Sequence, residues 1–189
     1  MYTNEQIEKI GNTLIHLTSN IEYASKTKLI KLLYILDEYS IRKSGIPFLN
    51  ISYKVWKFGP VPADIYIDLS SDLTLFNKYI KKICDRDHEY FVPIKEFSDD
   101  EFSDAEIELL DIIINLFKHH KAKDLIKHTH KVGAPWYNAA KNGKVLDLLL
   151  NQSINTTDFD VNLEELLVKD ARKLKIYNDF KEHFNSLNS

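Results

Sequence analysis

Ser25-Lys26-Thr27-Lys28-Leu29-Ile30-Lys31-Leu32-Leu33-Tyr34-Ile35-Leu36, continuing through Ile41 to Gly45 and Pro47, sets the architecture of this chain. On a helix, Leu29, Leu32, Leu33 and Leu36 share one face while Ile30, Tyr34 and Ile41 occupy another. A helix apolar on most of its sides is buried on most of its sides, so this one, predicted over 26–44, belongs at the centre of the molecule. Gly45 supplies its C-terminal stop, with Pro47 two residues on.

Working outward, Thr3-Asn4-Glu5-Gln6 is a capping box followed by Ile7, Ile10 and Leu14 at helical spacing. It predicts a first helix to about Thr18, with Gly11 as its weak point. Ser103-Asp104-Ala105-Glu106 is a second capping box. The helix after it, 104–118, sets Ile107, Leu110, Ile113, Ile114 and Phe117 against a polar stripe, and should pack on the central helix. Pro62 sits where a helix begins, so 63–69 reads as a short helix; 72–82 reads as another, and 122–131 as a third. Residues 151–160 are polar and read as loop. Asn162 then caps a long amphipathic helix carrying Leu163, Leu167, Leu174, Tyr177, Phe180 and Phe184 on one stripe.

From 51 to 58 the period drops to two, with Lys54, Trp56 and Phe58 on one side and Tyr53, Val55 and Lys57 on the other. A lone strand is unstable. The expected partner is 88–94, rich in aromatic and β-branched residues, in an antiparallel pair or small three-stranded sheet. The fold class expected is mostly α: a single-domain helical bundle around helices 26–44 and 104–118, with a short β hairpin or small sheet. Residues 1–160 form the domain, and 161–189 a C-terminal helix packed on it or extending from it.

The 189 residues are 44% hydrophobic, 12% aromatic and 28% charged, a globular composition long enough to bury a core. Net charge is −3, whereas binding to phosphate backbones needs a concentrated positive field, so nucleic acid is not expected as a partner. The first residues carry neither the basic nor the apolar region of an export signal, and no apolar run is long enough for a bilayer. A cytoplasmic location without a membrane partner follows. Cys84 is the one cysteine; with no CxxC partner it reads as a small buried side chain.

The five glycines, at 11, 45, 59, 133 and 143, are too far apart to cradle phosphates, and no GxSxG, HExxH or EF-hand pattern occurs. A catalytic reading would rest on His119, His120, His128 and His130, but on a helix His128 and His130 point about 200° apart and cannot chelate one ion. They read instead as a solvated polar face with one packed histidine, beside the positive strip of Lys118, Lys121, Lys123, Lys127 and Lys131. No metal, cofactor or catalytic residue is assigned.

The sharper feature is Trp56-Lys57-Phe58-Gly59-Pro60-Val61-Pro62. Two aromatics at strand spacing run into a glycine free to take positive φ and then into two prolines without amide donors, a rigid exit toward the next helix. Such a segment is either core and turn or a preorganised binding edge. Thr129-His130-Lys131-Val132-Gly133-Ala134-Pro135-Trp136 repeats the theme, and both knots could contribute to one surface.

Lys28 to Tyr34, Gly45-Ile46-Pro47-Phe48, Trp56 to Val61 with Tyr66, and Thr129-His130 with Pro135-Trp136 together resemble the SocA-like Panacea domain, over about 10–141. The resemblance implies an antitoxin that neutralises, by direct contact, a cognate protein toxin encoded by an adjacent gene. It brings no catalytic residues. The partner-binding candidates are Trp56, Lys57, Phe58, Gly59, Pro60, Val61, Tyr66, His130 and Trp136. The chain departs from the pattern in having Lys54-Val55 where many relatives carry Glu-Ala, and in lacking a helix-turn-helix. Two alternatives stay open: an adaptor delivering the toxin to a cellular protease, and a histidine-dependent metal hydrolase or nuclease.

Overall fold

The computed structural model describes residues 2–85 and 88–187. Met1, Arg86, Asp87, Asn188 and Ser189, which the expected ranges 1–160 and 161–189 include, lie outside the described residues. Eight helices, one 3₁₀ turn and two small hairpins make a mostly α fold among the described residues. Helix α1 spans Asn4–Asn20 and starts on the expected capping box, Thr3 and Gln6 exchanging side-chain and backbone hydrogen bonds at 3.1 Å each way. Helix α2 spans Lys26–Ser44, capped by Ser25 and ended by Gly45 at φ 85°, whose N–H returns to the Ile41 carbonyl.

Helix α2 is the hub. Leu29, Leu32, Leu33, Tyr34, Ile35 and Leu36 have no exposed surface, and elements from both halves of the chain pack on it. One of them is helix α4, Asp104–Phe117, which begins on the second capping box. The Glu106 of that box also accepts Lys9 Nζ at 2.6 Å, tying α1 to α4. Among the described residues, no helix is long and apolar enough to cross a membrane.

Two buried charges on α2 organise the chain that follows it. The Asp37 carboxylate, with no exposed surface, accepts N–H bonds from Leu49 (2.6 Å), Asn50 (3.3 Å) and Ile51 (3.4 Å) and the Tyr53 hydroxyl at 2.8 Å. Burial pushes its carboxyl up, against the pull of those donors. Two turns toward the N-terminus, Lys31 Nζ donates to the Pro60 carbonyl at 2.7 Å. The segment between is thus pinned at both ends to one helix.

That segment forms strands β1, Lys54–Trp56, and β2, Gly59–Val61, paired with each other with Trp56 opposite Gly59. The expected pairing of 51–58 with 88–94 does not occur: Gly59, at φ 100°, lets the chain reverse after Lys57 and Phe58. Pro60 removes no ladder bond, because the Val55 carbonyl facing it across the pair is turned away and accepts from Thr157 Oγ1 instead. The loop 151–160 is loop as expected, yet it is stitched to β1. Lys57 N–H donates to the Asn155 carbonyl, Val161 N–H to the Tyr53 carbonyl, and Thr157 Oγ1 to the Val55 carbonyl.

Helix α3, Ala63–Ser70, follows Pro62 as expected. The helix expected at 72–82 is absent. Asp68 captures the amides of Thr74, Leu75 and Phe76 with one carboxylate, a local alternative to helical bonding, and Ile80 opens strand β3, Ile80–Asp85, paired with β4, His88–Pro93. This second hairpin lies on α1, where the Tyr79 ring fills the space a Cβ on Gly11 would need. The glycine that looked like a weak point is therefore a packing site. Cys84 is exposed on β3 rather than buried, because this narrow hairpin turns little of its outer half toward the core.

Helices α5, Ala122–Thr129, α6, Pro135–Asn142, and α7, Leu146–Leu150, lead into the loop. The long helix expected from Asn162 is divided. Asn162 caps only a 3₁₀ turn, Leu163–Leu167, whose Leu163 and Leu167 are buried, and α8, Ala171–Leu187, starts afresh beyond Asp170. Both pieces contact α2.

The Asp37 cluster yields a stability prediction. Asp37→Ala strands the amides of Leu49, Asn50 and Ile51, while the Tyr53 hydroxyl keeps the Leu33 carbonyl as acceptor, and urea unfolding should show a loss of at least about 3 kcal/mol. A loss below about 1 kcal/mol would show that the carboxylate does not organise this segment.

Candidate functional site

The turn between β1 and β2 borders a cavity of about 500 Å³ lined by Lys26, Thr27, Ile30, Lys31, Trp56, Lys57, Phe58, Val61, Tyr66, Asn155 and Thr156. Helix α2 supplies its floor, the hairpin and α3 its aromatic side, and the stitched loop its third wall. The half-buried Trp56 meets Tyr66 edge-on at 5.0 Å between ring centroids. Lys26 Nζ lies 4.6 Å over the Tyr66 ring and donates to Ser70 Oγ at 2.9 Å. Lys57 Nζ lies 4.8 Å over the Phe58 ring and donates to Gln152 Oε1 at 3.0 Å. Phe58 is 56% exposed at the rim, a large aromatic surface presented to solvent on a braced turn.

Gly59, Pro60 and Val61 are buried beneath this rim and shape it from below. At Gly59 a Cβ would stand 2.6 Å from Thr129 Oγ1 and 3.3 Å from Lys31 Nζ, so the backbone passes there only because the residue has no side chain. Lys31 is 1% exposed, and burial pulls its ammonium down to about 7.

The second knot stands directly behind the first. Trp136 is fully buried, and its indole N–H donates to the Trp56 carbonyl at 2.9 Å. His130 stacks on Trp136 at 3.8 Å between ring centroids and 6° between planes. Its Nε2 is buried without a hydrogen-bond partner, and burial together with the Lys31 charge holds the imidazole down at about 4. The two knots therefore touch, but the second supports the cavity from behind and does not line it. Trp56, Lys57, Phe58, Val61 and Tyr66 line the cavity, whereas Gly59, Pro60, His130 and Trp136 brace it.

Reading the sequence missed the α2 contribution of Lys26, Thr27, Ile30 and Lys31, and the wall made by Asn155 and Thr156. One signal was available for Lys31: a lysine set between Ile30 and Leu32 on a helix apolar all round has no wet face to occupy.

The four clustered histidines are dispersed. His119 and His120 line a larger cleft of about 1110 Å³. His128 lies 3.9 Å from Glu38 and against the Tyr39 ring, and His130 is on Trp136. No group of three or more His, Cys, Asp or Glu side chains is placed to hold a metal among the described residues. In the larger cleft, Glu22 and Asp85 offset Lys28, Lys118 and Lys121. The smaller cavity has no acidic lining residue, and it gathers the motif residues.

Two measurements test the bracing. Gly59→Ala forces a side chain onto a positive-φ position against Thr129, and chemical denaturation should register a loss of about 1–3 kcal/mol; no loss would mean that the close approach is not needed. For His130, the unfolded chain binds a proton near pH 6.5 that the folded chain refuses until about pH 4, so this residue's contribution to stability falls as pH drops through that window. The stability gap between wild type and His130→Asn should narrow from pH 6.5 to 4; a constant gap would place the imidazole in a wetter site.

Neither a search of curated proteins nor one of solved structures returns a match. The family described as antitoxin SocA-like, Panacea domain, matches residues 29–137, more than half of the chain and the segment that supplies part of the cavity's floor, its turn and both tryptophans. On that match, the chain belongs to the SocA-like Panacea antitoxin family.

Proposed function

We propose that this protein is an antitoxin that neutralises a cognate protein toxin, encoded by an adjacent gene, through direct contact at the cavity beside the β1–β2 turn. One observation carries the reading: Trp56, Lys57, Phe58 and Tyr66, drawn from the family segment, converge on one concave surface whose backbone is locked by Lys31, Gly59 and Trp136. A turn already held in one conformation loses little entropy when a partner lands on it. Exposed Phe58 beside half-buried Trp56 has the character of an interface anchor, where a few rigid aromatics carry most of the binding energy.

Co-expression tests the reading. The adjacent gene alone should arrest growth, its co-expression with this chain should restore it, and the two products should purify together. Phe58→Ala should weaken the complex at least about tenfold while changing unfolding free energy by no more than about 0.5 kcal/mol, since Phe58 is largely exposed. A harmless neighbour would remove the antitoxin reading, and undiminished binding by the folded variant would move the interface elsewhere.

A further inference from the structure

Three lysines converge on the cavity, Lys31 from its floor, Lys26 and Lys57 from its sides, and the lining holds no Asp or Glu. Their partners are all uncharged: the Pro60 carbonyl, Ser70 Oγ with the Tyr66 ring, and Gln152 Oε1 with the Phe58 ring. The larger cleft, by contrast, sets Glu22 and Asp85 among its lysines. In a chain of net charge −3, three lysines around one concavity with no acidic lining residue make a local concentration of positive charge. Lys31 is the sharpest case, because its buried amino group has a single carbonyl as acceptor and, when charged, carries two unused donors and most of its desolvation cost.

We infer that this cavity receives an acidic segment of the protein partner, with one carboxylate directed at Lys31 and an adjacent apolar side chain seated between Ile30 and the Trp56–Phe58 edge. The inference rests on the cavity being the contact site, and adds the chemistry of what enters it. An incoming carboxylate offsets the cost of burying Lys31, and Lys26 and Lys57 steer its approach. The apolar part of the wall favours a side chain over a bare inorganic anion. Single-stranded nucleic acid also combines anions with stacking surfaces, but it needs a basic track along its backbone, and here the positive charge is confined to one cavity on an acidic protein.

The test is selection of displayed random peptides on the full-length folded protein, followed by titration of the enriched synthetic peptides with Trp fluorescence as readout. Enriched peptides should carry Asp or Glu next to an aromatic or aliphatic residue. They should bind at least about tenfold more weakly to Lys31→Met and to a Lys26→Gln, Lys57→Gln double variant. The double variant alters exposed groups and keeps the test decisive if Lys31→Met fails to fold. Enrichment of neutral or basic peptides, undiminished binding by the double variant, or displacement of the peptides by an oligothymidylate would overturn the inference. Failure here and failure of the antitoxin reading are separable. Acidic peptides that bind while the adjacent gene product does not would leave this inference standing alone; rescue of growth without acidic preference would remove only this inference.

Discussion

The Asp37 carboxylate is a buried acceptor that collects three backbone amides and a tyrosine hydroxyl from the chain just beyond its own helix. Everything at the front of the molecule depends on that collection. It turns the segment after Gly45 back along α2 and delivers the chain to β1 in one register. Lys31 then takes up the returning strand at Pro60. One helix thus holds both limbs of a hairpin with opposite charges, and each charge would be costly there without the backbone groups it binds.

Local signals in the sequence translated well into structure. Both capping boxes, the Gly45 stop and the all-round apolar character of α2 are short-range or periodic features, and each appears where its residues place it. The strands were legible as strands but not in their pairing, which depends on where the chain can reverse. Gly59 decided that between two adjacent segments. The turn at 72–82 was hidden because its organiser, Asp68, lies upstream on the preceding helix and acts through a side chain. The division of the C-terminal helix has the same origin: Leu163 and Leu167 seat on α2 through a 3₁₀ turn, and a stripe drawn at constant helical pitch does not register the break.

The candidate site was half legible. Trp56, Lys57 and Phe58 stood out because aromatics beside glycine and proline are unusual, and the second tryptophan stood out for the same reason. Their division of labour was not readable. Trp136 lies wholly inside and supports Trp56 through its indole N–H, while Phe58 faces solvent, and nothing in the two motifs distinguishes support from surface. Lys31 was hidden by its company, since a lysine in a leucine-rich helix is easily taken for the polar side of an amphipathic pattern. The all-round apolar character of the helix was the one hint that no such side exists there, and the burial of its neighbours bears it out.

The loop that crosses from Asn155 to Val161 carries a consequence for how much of the chain the site requires. By accepting and donating along the outer side of β1, it gives a two-stranded ribbon the equivalent of a third strand and closes an edge that would otherwise be open to pairing with other molecules. It lies beyond the family segment, which ends at residue 137. A chain cut back to that segment would therefore lose more than a tail. It would shed one wall of its own cavity and gain a sticky backbone edge, both through the same set of missing hydrogen bonds.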